Sequence, residues 1–277
     1  MTERSSLASA ACAILRAAEP AAKARLTGEA AARWRAGALS ETNSETGGET
    51  PPPRPARPAR PELRAPKEVK RRRISPNPAG RIALLHALAH IELNAIDLAW
   101  DLIARFRDAP GLPRAFFDDW VGVAAEEAKH FMLLNARLGA LGAAYGDLPA
   151  HDGLWQAAQS TAHDLAARLA VVPLVLEARG LDVTPGMISR LEAAGDAESA
   201  AILRTIHDEE IGHVAVGRRW FEHCCRRAGD DPVTEFHRLV RKHFRGAIKP
   251  PFDQAGRAEA GLTAAYYMPL ASTRDRI

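Results

Sequence analysis

One phrase occurs twice in this chain, as Glu126-Glu127-Ala128-Lys129-His130 and again as Glu209-Glu210-Ile211-Gly212-His213. Each copy places a Glu-x-x-His inside a long helical pattern, and each is preceded by a stretch holding another isolated glutamate, Glu92 in the first case and Glu177 in the second. The two glutamates of the first set stand 35 residues apart and those of the second 33, the signature of a duplicated helical hairpin. A helix turns about 100° per residue, so Glu127 and His130 share a face, as do Glu210 and His213. Two helices giving one Glu each and two giving Glu-x-x-His is the ligand set of a carboxylate-bridged dinuclear metal site in a four-helix bundle.

The chemistry of that set balances. Glu92, Glu127, Glu177 and Glu210 carry four negative charges, which two divalent ions neutralise while His130 and His213 stay neutral. Without metal, four clustered buried carboxylates would each cost several kcal/mol unless protonated. Oxygen-rich ligands with two imidazoles suit iron first and manganese as the alternative, rather than tetrahedral zinc. Glu126 and Glu209 read either as groups that bond the ligand histidines from behind and set their tautomer or as surface charges. His207, one turn before Glu210, could be a further ligand or proton relay, although a role outside the site is the commoner reading, whereas His86 and His90 lie on another face from Glu92 and suit core or capping roles. Trp100, Trp120 and Trp220 are expected to be packing residues.

The rest of the chain fits an all-α fold. Apolar residues make up 47% of the 277, alanine is abundant and β-branched runs are scarce. Residues 5–38 read as a helix or helical pair, 40–48 as a polar break, and Pro51–Pro66 as extended polyproline-type chain. Long helices are predicted over 82–106, 114–143, 154–179 and 196–228, with shorter ones from Thr184 to near Gly195 and over 231–244. Pro173 should kink or bulge its helix one turn before Glu177. From Glu92 to Phe106 is about 21 Å of helix and from Arg114 to Glu127 about 20 Å, so a hairpin closed at 107–113 holds both glutamates at one level. The connection through 144–159 leaves the topology of the second half open.

These patterns divide the chain into an N-terminal helical segment (1–39), a Pro/Arg-rich linker (40–78), the bundle (79–245) and a C-terminal extension packing on it (246–277). The net charge of +3 hides an asymmetry, because nine Lys or Arg between Arg54 and Arg73 face only Glu62 and Glu68. That arm carries +7 locally, and Lys70-Arg71-Arg72-Arg73 could meet phosphate. It lacks the interleaved aromatics that stacking on single-stranded nucleic acid favours, so nucleic acid is not the expected partner. Cys12, Cys224 and Cys225 have no metal-binding spacing and are read as thiols in a reducing cytoplasm. No run of about 18 apolar residues suggests a membrane span.

On the motifs His86-Ala-Leu-Ala-His90-Ile-Glu92, Ala125–Phe131, Pro149–Trp155, Val172–Asp182, Glu210-Ile-Gly-His213 and Lys249-Pro-Pro-Phe252, the chain resembles the ferritin-like superfamily. Within it, the chain is most similar to the bacterial ferritin-like family catalogued as domain of unknown function 455. The resemblance spans nearly the whole chain and implies a ferritin-like four-helix bundle with a dinuclear centre, without naming a substrate. The expectation is an oxygen-activating di-iron or iron–manganese oxidoreductase acting on a small molecule, served by an electron-donor protein. An iron-handling ferroxidase or storage protein, and a hydroxylase of modified tRNA, are the alternatives.

Overall fold

A computed structural model describes residues 6–41, 49–65, 68–69 and 77–271. Among these the structure is all-helical, with three isolated β-bridges and no strand. The chain divides into two units, residues 1–155 and 156–277.

The first unit is built on a hairpin of two long helices, α3 (Pro78–Arg105) and α4 (Arg114–Ala140). Asn77 caps α3 by accepting from Ala79 N–H at 3.0 Å, and Pro78 supplies a preset first residue, so the helix begins four residues before the expected Ile82. Gly142 at φ +76° ends the hairpin's second arm, three residues before the expected limit. Two shorter helices, α1 (Leu7–Arg16) and α2 (Pro20–Arg35), pack on α3 and α4 respectively. Burial runs almost all round α3, which is why it is apolar on every face. Its length and composition (mean hydropathy 1.4 over the best stretch) would suffice to cross a membrane, yet 78% of that stretch is buried inside the protein, as in a core helix.

The Pro/Arg-rich arm is anchored over 49–65. Ala56 N–H donates to Leu15 C=O at 2.8 Å, and Arg64 and Ala150 join a short bridge through Leu63. Arg54 pairs with Asp152, and Arg57 reaches Asp97 on α3 at 3.0 Å. Lys23 from α2 meets the same Asp97 carboxylate and also the carbonyl of Ala56. Two basic residues therefore converge on one fully buried aspartate. The basic run Lys70–Arg73 lies outside the described residues.

The second unit is built on α8 (Ala197–Ala228), packed against α6 (Leu165–Val171), a π-helical turn (Val172–Glu177) and α7 (Ala178–Ala193). The single helix expected over 154–179 is interrupted. After α5 (Gly153–Ser160), Asp164 starts a new helix by accepting from Ala167 N–H at 3.0 Å. Buried Arg168 stabilises the break by donating to Ala158 C=O at 2.6 Å and to the Thr161 hydroxyl at 3.0 Å. The bulge expected at Pro173 is present as the π-helical turn, since proline cannot donate to the carbonyl one turn back.

The helix expected to begin at Thr184 does not; α7 runs unbroken through Pro185. One lost backbone hydrogen bond there is outweighed by burial of Leu181 and Leu191, while the Thr184 hydroxyl donates to Gly180 C=O at 2.8 Å. The remaining helices are α9 (Pro232–His243), α10 (Gln254–Glu259) and α11 (Ala264–Tyr267). The C-terminal segment is bonded to α7 by Arg257 with Asp182, and to α8 by Asp253 with His207 and by Arg218 with Ala260 C=O.

Candidate metal centre

Equal arms set the level of the first cluster. Glu92 lies 13 residues before the end of α3 and Glu127 lies 13 residues after the start of α4, so the hairpin brings them to one height. His130 follows one turn on. Glu92, Glu127 and His130 each offer a ligand atom, and these atoms lie within 4.8 Å of one another. His130 Nδ1 stands 3.4 Å from Glu92 and 3.6 Å from Glu127. Glu127 and His130 are 0% exposed and Glu92 4%.

Burial opposes charge on His130, but the Glu127 and Glu92 carboxylates outweigh it and lift its pKa to about 11. The protonated imidazole is thus the positive partner of two buried carboxylates, and the same three side chains are donors that could hold a cation.

The second unit repeats the pattern in part. On α8, Glu210 and His213 face the same way, with His213 Nδ1 3.6 Å from Glu210. His213 is 1% exposed and Glu210 9%. Glu210 Oε2 is buried with no hydrogen-bond partner among the described residues, a position whose desolvation is compensated once a cation sits on it. Glu177 is half-buried and closes the π-helical turn, so the extra residue of that turn sets which way it projects.

Gly217, one turn beyond His213, explains how the π-helical turn fits. A methyl group there would lie 2.3 Å from Pro173 Cβ, far inside van der Waals contact. Proline bulge and glycine notch are therefore complementary, and both serve the position of Glu177. A glycine inside a long helix was the available signal for this residue.

The neighbouring candidates take other partners. His207 stands 3.0 Å from Asp253 and ties the C-terminal segment to α8. Glu126 and Glu209 are half-buried beside their ligands. His86 accepts from Gly146 N–H at 2.9 Å, and His90 lies 2.8 Å from the Tyr145 hydroxyl and 3.1 Å from His151 C=O, so both cap the loop after α4. Burial first, then Arg57, drives the His90 pKa down to about 3, keeping it neutral. Trp100 is a packing residue whose ring N–H donates to Thr27.

Sequence reasoning had no means to find Asp97 with Lys23 and Arg57, or Asp182 with Arg257, because each set joins residues far apart in the chain with no shared motif.

Two helical hairpins, each offering a glutamate and a Glu-x-x-His, define an all-helical protein with a duplicated carboxylate–imidazole motif. The chain belongs to the family described as Protein of unknown function (DUF455), whose sequence model matches residues 16–268. It is similar to a protein of Haemophilus influenzae (strain ATCC 51907 / DSM 11121 / KW20 / Rd) described as "Uncharacterized protein". The two are 42% identical over 210 residues, which is 74% of this chain and 73% of that one. No solved structure matches.

Proposed function

We propose that the two hairpins are halves of a ferritin-like four-helix bundle, and that Glu92, Glu127, His130, Glu177, Glu210 and His213 together hold two metal ions, iron first and manganese second. The observation that carries this is the dry Glu92–Glu127–His130 cluster, whose ligand atoms already lie within 4.8 Å of one another. The half-set on α8 supports it with the same residue types at the same spacing.

We assign the protein as an oxygen-activating oxidoreductase of a small molecule, with an electron-donor protein as partner. Bound there, the metal pair would supply the redox chemistry toward oxygen that no side chain offers. The protein's own residues do the rest. Glu92 and Glu127 give carboxylate oxygens from a water-excluded face, which strengthens their hold on a cation. His130 and His213 coordinate as neutral imidazoles, so loading releases the proton that His130 otherwise keeps. Glu177, on an irregular turn, has more freedom to change its position than Glu127 on a straight helix.

Within the arm Arg54 and Arg57 are engaged by Asp152 and Asp97, while the Lys70–Arg73 run on which the tRNA alternative rests lies outside the described residues. Metal content per chain, measured for the native protein beside Glu127→Ala and Glu210→Ala, tests the assignment. About two iron or manganese per chain, falling in both variants, is the expected result. No bound metal after anaerobic Fe(II) and Mn(II) loading would overturn it. Uptake of many irons per chain would favour iron handling over oxidation of a substrate.

A further inference from the structure

A cavity of about 80 Å³ lies within the second unit, bounded by the π-helical turn, α7 and the C-terminal segment. Leu174 and Val175 form an apolar wall, and Arg179, Lys249 and Arg257 bring positive charge to the same space. Arg257 is only 3% exposed. Its Nε and Nη2 donate to the two Asp182 oxygens at 2.7 and 2.8 Å, and Nη2 also reaches Ala178 C=O at 3.3 Å. The guanidinium carbon sits 4.4 Å from the centre of the Tyr267 ring and 5.4 Å from that of Phe252. Two edges of the fork are thus fixed. The remaining nitrogen, Nη1, is buried with no acceptor among the described residues.

A buried, charged donor lacking an acceptor is a costly group unless something brings it one. Three cations against the single carboxylate of Asp182 leave the lining positive, so the missing partner is an anion. The volume equals about two to three waters, room for a ligand of roughly four or five heavy atoms. A planar carboxylate matches the geometry of a guanidinium edge. A tetrahedral phosphate of that size would press oxygens against Leu174 and Val175, where no donor waits.

We propose that this cavity binds a small aliphatic carboxylate. One oxygen accepts from Arg257 Nη1, the exposed Lys249 ammonium completes the charge, and a short alkyl end lies on Leu174 and Val175. Arg179 acts indirectly, since it donates to the carbonyls of Lys249 and Pro251 and so holds that segment over the cavity. The site lies entirely in the second unit and does not depend on bound metal.

The test uses the full chain, metal-free, with acetate, propionate and inorganic phosphate as probes at constant ionic strength. Thermal denaturation and isothermal titration should show saturable binding of acetate and propionate, with a midpoint temperature rising with the logarithm of ligand concentration. Lys249→Gln should weaken binding by about 3–10-fold and Arg257→Lys by more than about 10-fold. Because Arg257 also anchors Asp182, the deciding variant is Ala247→Trp, at an exposed rim position where added bulk blocks the cavity without touching that pair. Its binding should vanish while its unfolding cooperativity is unchanged. Absence of saturable carboxylate binding, undiminished binding by Ala247→Trp, or phosphate binding as tight as propionate would each overturn the assignment.

Discussion

Gly217→Ala asks a question whose answer is a sign. In an ordinary helix interior, replacing glycine by alanine stabilises by about 0.5–1 kcal/mol, because glycine has more backbone freedom to lose on folding. At Gly217 the new methyl would meet Pro173 Cβ at 2.3 Å and Cγ at 2.5 Å, against an ordinary carbon contact of about 3.5–4 Å. The helices must part by about 1 Å, and the proline ring, locked in the π-helical turn, has no rotamer into which to escape. Overpacking of this kind costs about 1–3 kcal/mol, more than the propensity gain, so net destabilisation of up to about 2 kcal/mol is expected. Gly212 on the same helix is the control, since a methyl there meets nothing within 4 Å and the position is exposed. Gly212→Ala should therefore stabilise. Urea denaturation, read as the midpoint at unchanged slope, separates the two variants. If metal fills the proposed centre, its retention should fall in Gly217→Ala alone, because the displaced turn carries Glu177. Equal stabilisation by both substitutions would show that the proline–glycine contact does not constrain the second half-set.

Other outcomes follow from the same structure. Asp97→Ala strands two cations around a fully buried site, Lys23 at 1% exposure and Arg57 at 13%, and should cost about 3–5 kcal/mol by chemical denaturation. Glu29→Ala, which breaks an exposed pair with Arg25, should cost under about 0.5 kcal/mol. Burial pushes the Asp97 pKa up and that of Lys23 down, so both shifts disfavour the charged forms and the charged pair is a net cost near neutral pH. Asp97 shifted up loses its favourable contribution as pH rises through its folded pKa. Lys23 shifted down loses its own as pH falls through its folded pKa. Lys23→Met and Arg57→Met together with Asp97→Leu should therefore recover most of the stability that Asp97→Ala loses, and a triple variant as unstable as the single one would contradict this account. If metal fills the proposed centre, chelation should lower the unfolding free energy by about 2.7 kcal/mol at a free metal concentration 100 times its Kd. An unchanged melting curve on chelation would count against a structural contribution from the ions.

What the sequence disclosed and what it concealed divide along a physical line. Periodicity, caps and the Glu-x-x-His repeat are local, so the long helices and the levels of Glu92 and Glu127 were legible from spacing alone. Pro173 announced its bulge for the same reason. Pro185 misled because one missing hydrogen bond looks decisive locally, whereas the burial of Leu181 and Leu191 decides the outcome. The turn at 161–164 was invisible because its stabilising group, Arg168, acts through a side chain that composition marks as solvent-exposed. The Pro/Arg arm was legible as helix-free chain over 49–65, but Arg57 finding Asp97 is a tertiary event that no charge count anticipates.

The two half-sets share a ligand pattern yet sit in different physical settings. Glu127 and His130 stand on an uninterrupted helix with no solvent exposure, next to a hairpin whose partner helix is buried nearly all round. Glu177 ends a π-helical turn, is half-buried and depends on a proline fitting a glycine notch. Duplication alone would give equal halves. Side chains fixed by packing hold a geometry, whereas those on irregular backbone can exchange one arrangement for another at low cost. The proposed chemistry needs both, a rigid pair to keep ions in place and a mobile carboxylate to change position as charge changes. If metal fills the proposed centre, Glu92, Glu127 and His130 would be its rigid ligands and Glu177 the one on irregular backbone. Straightening the π-helical turn should therefore impair turnover more than metal content, whereas loss of Glu127 should abolish both.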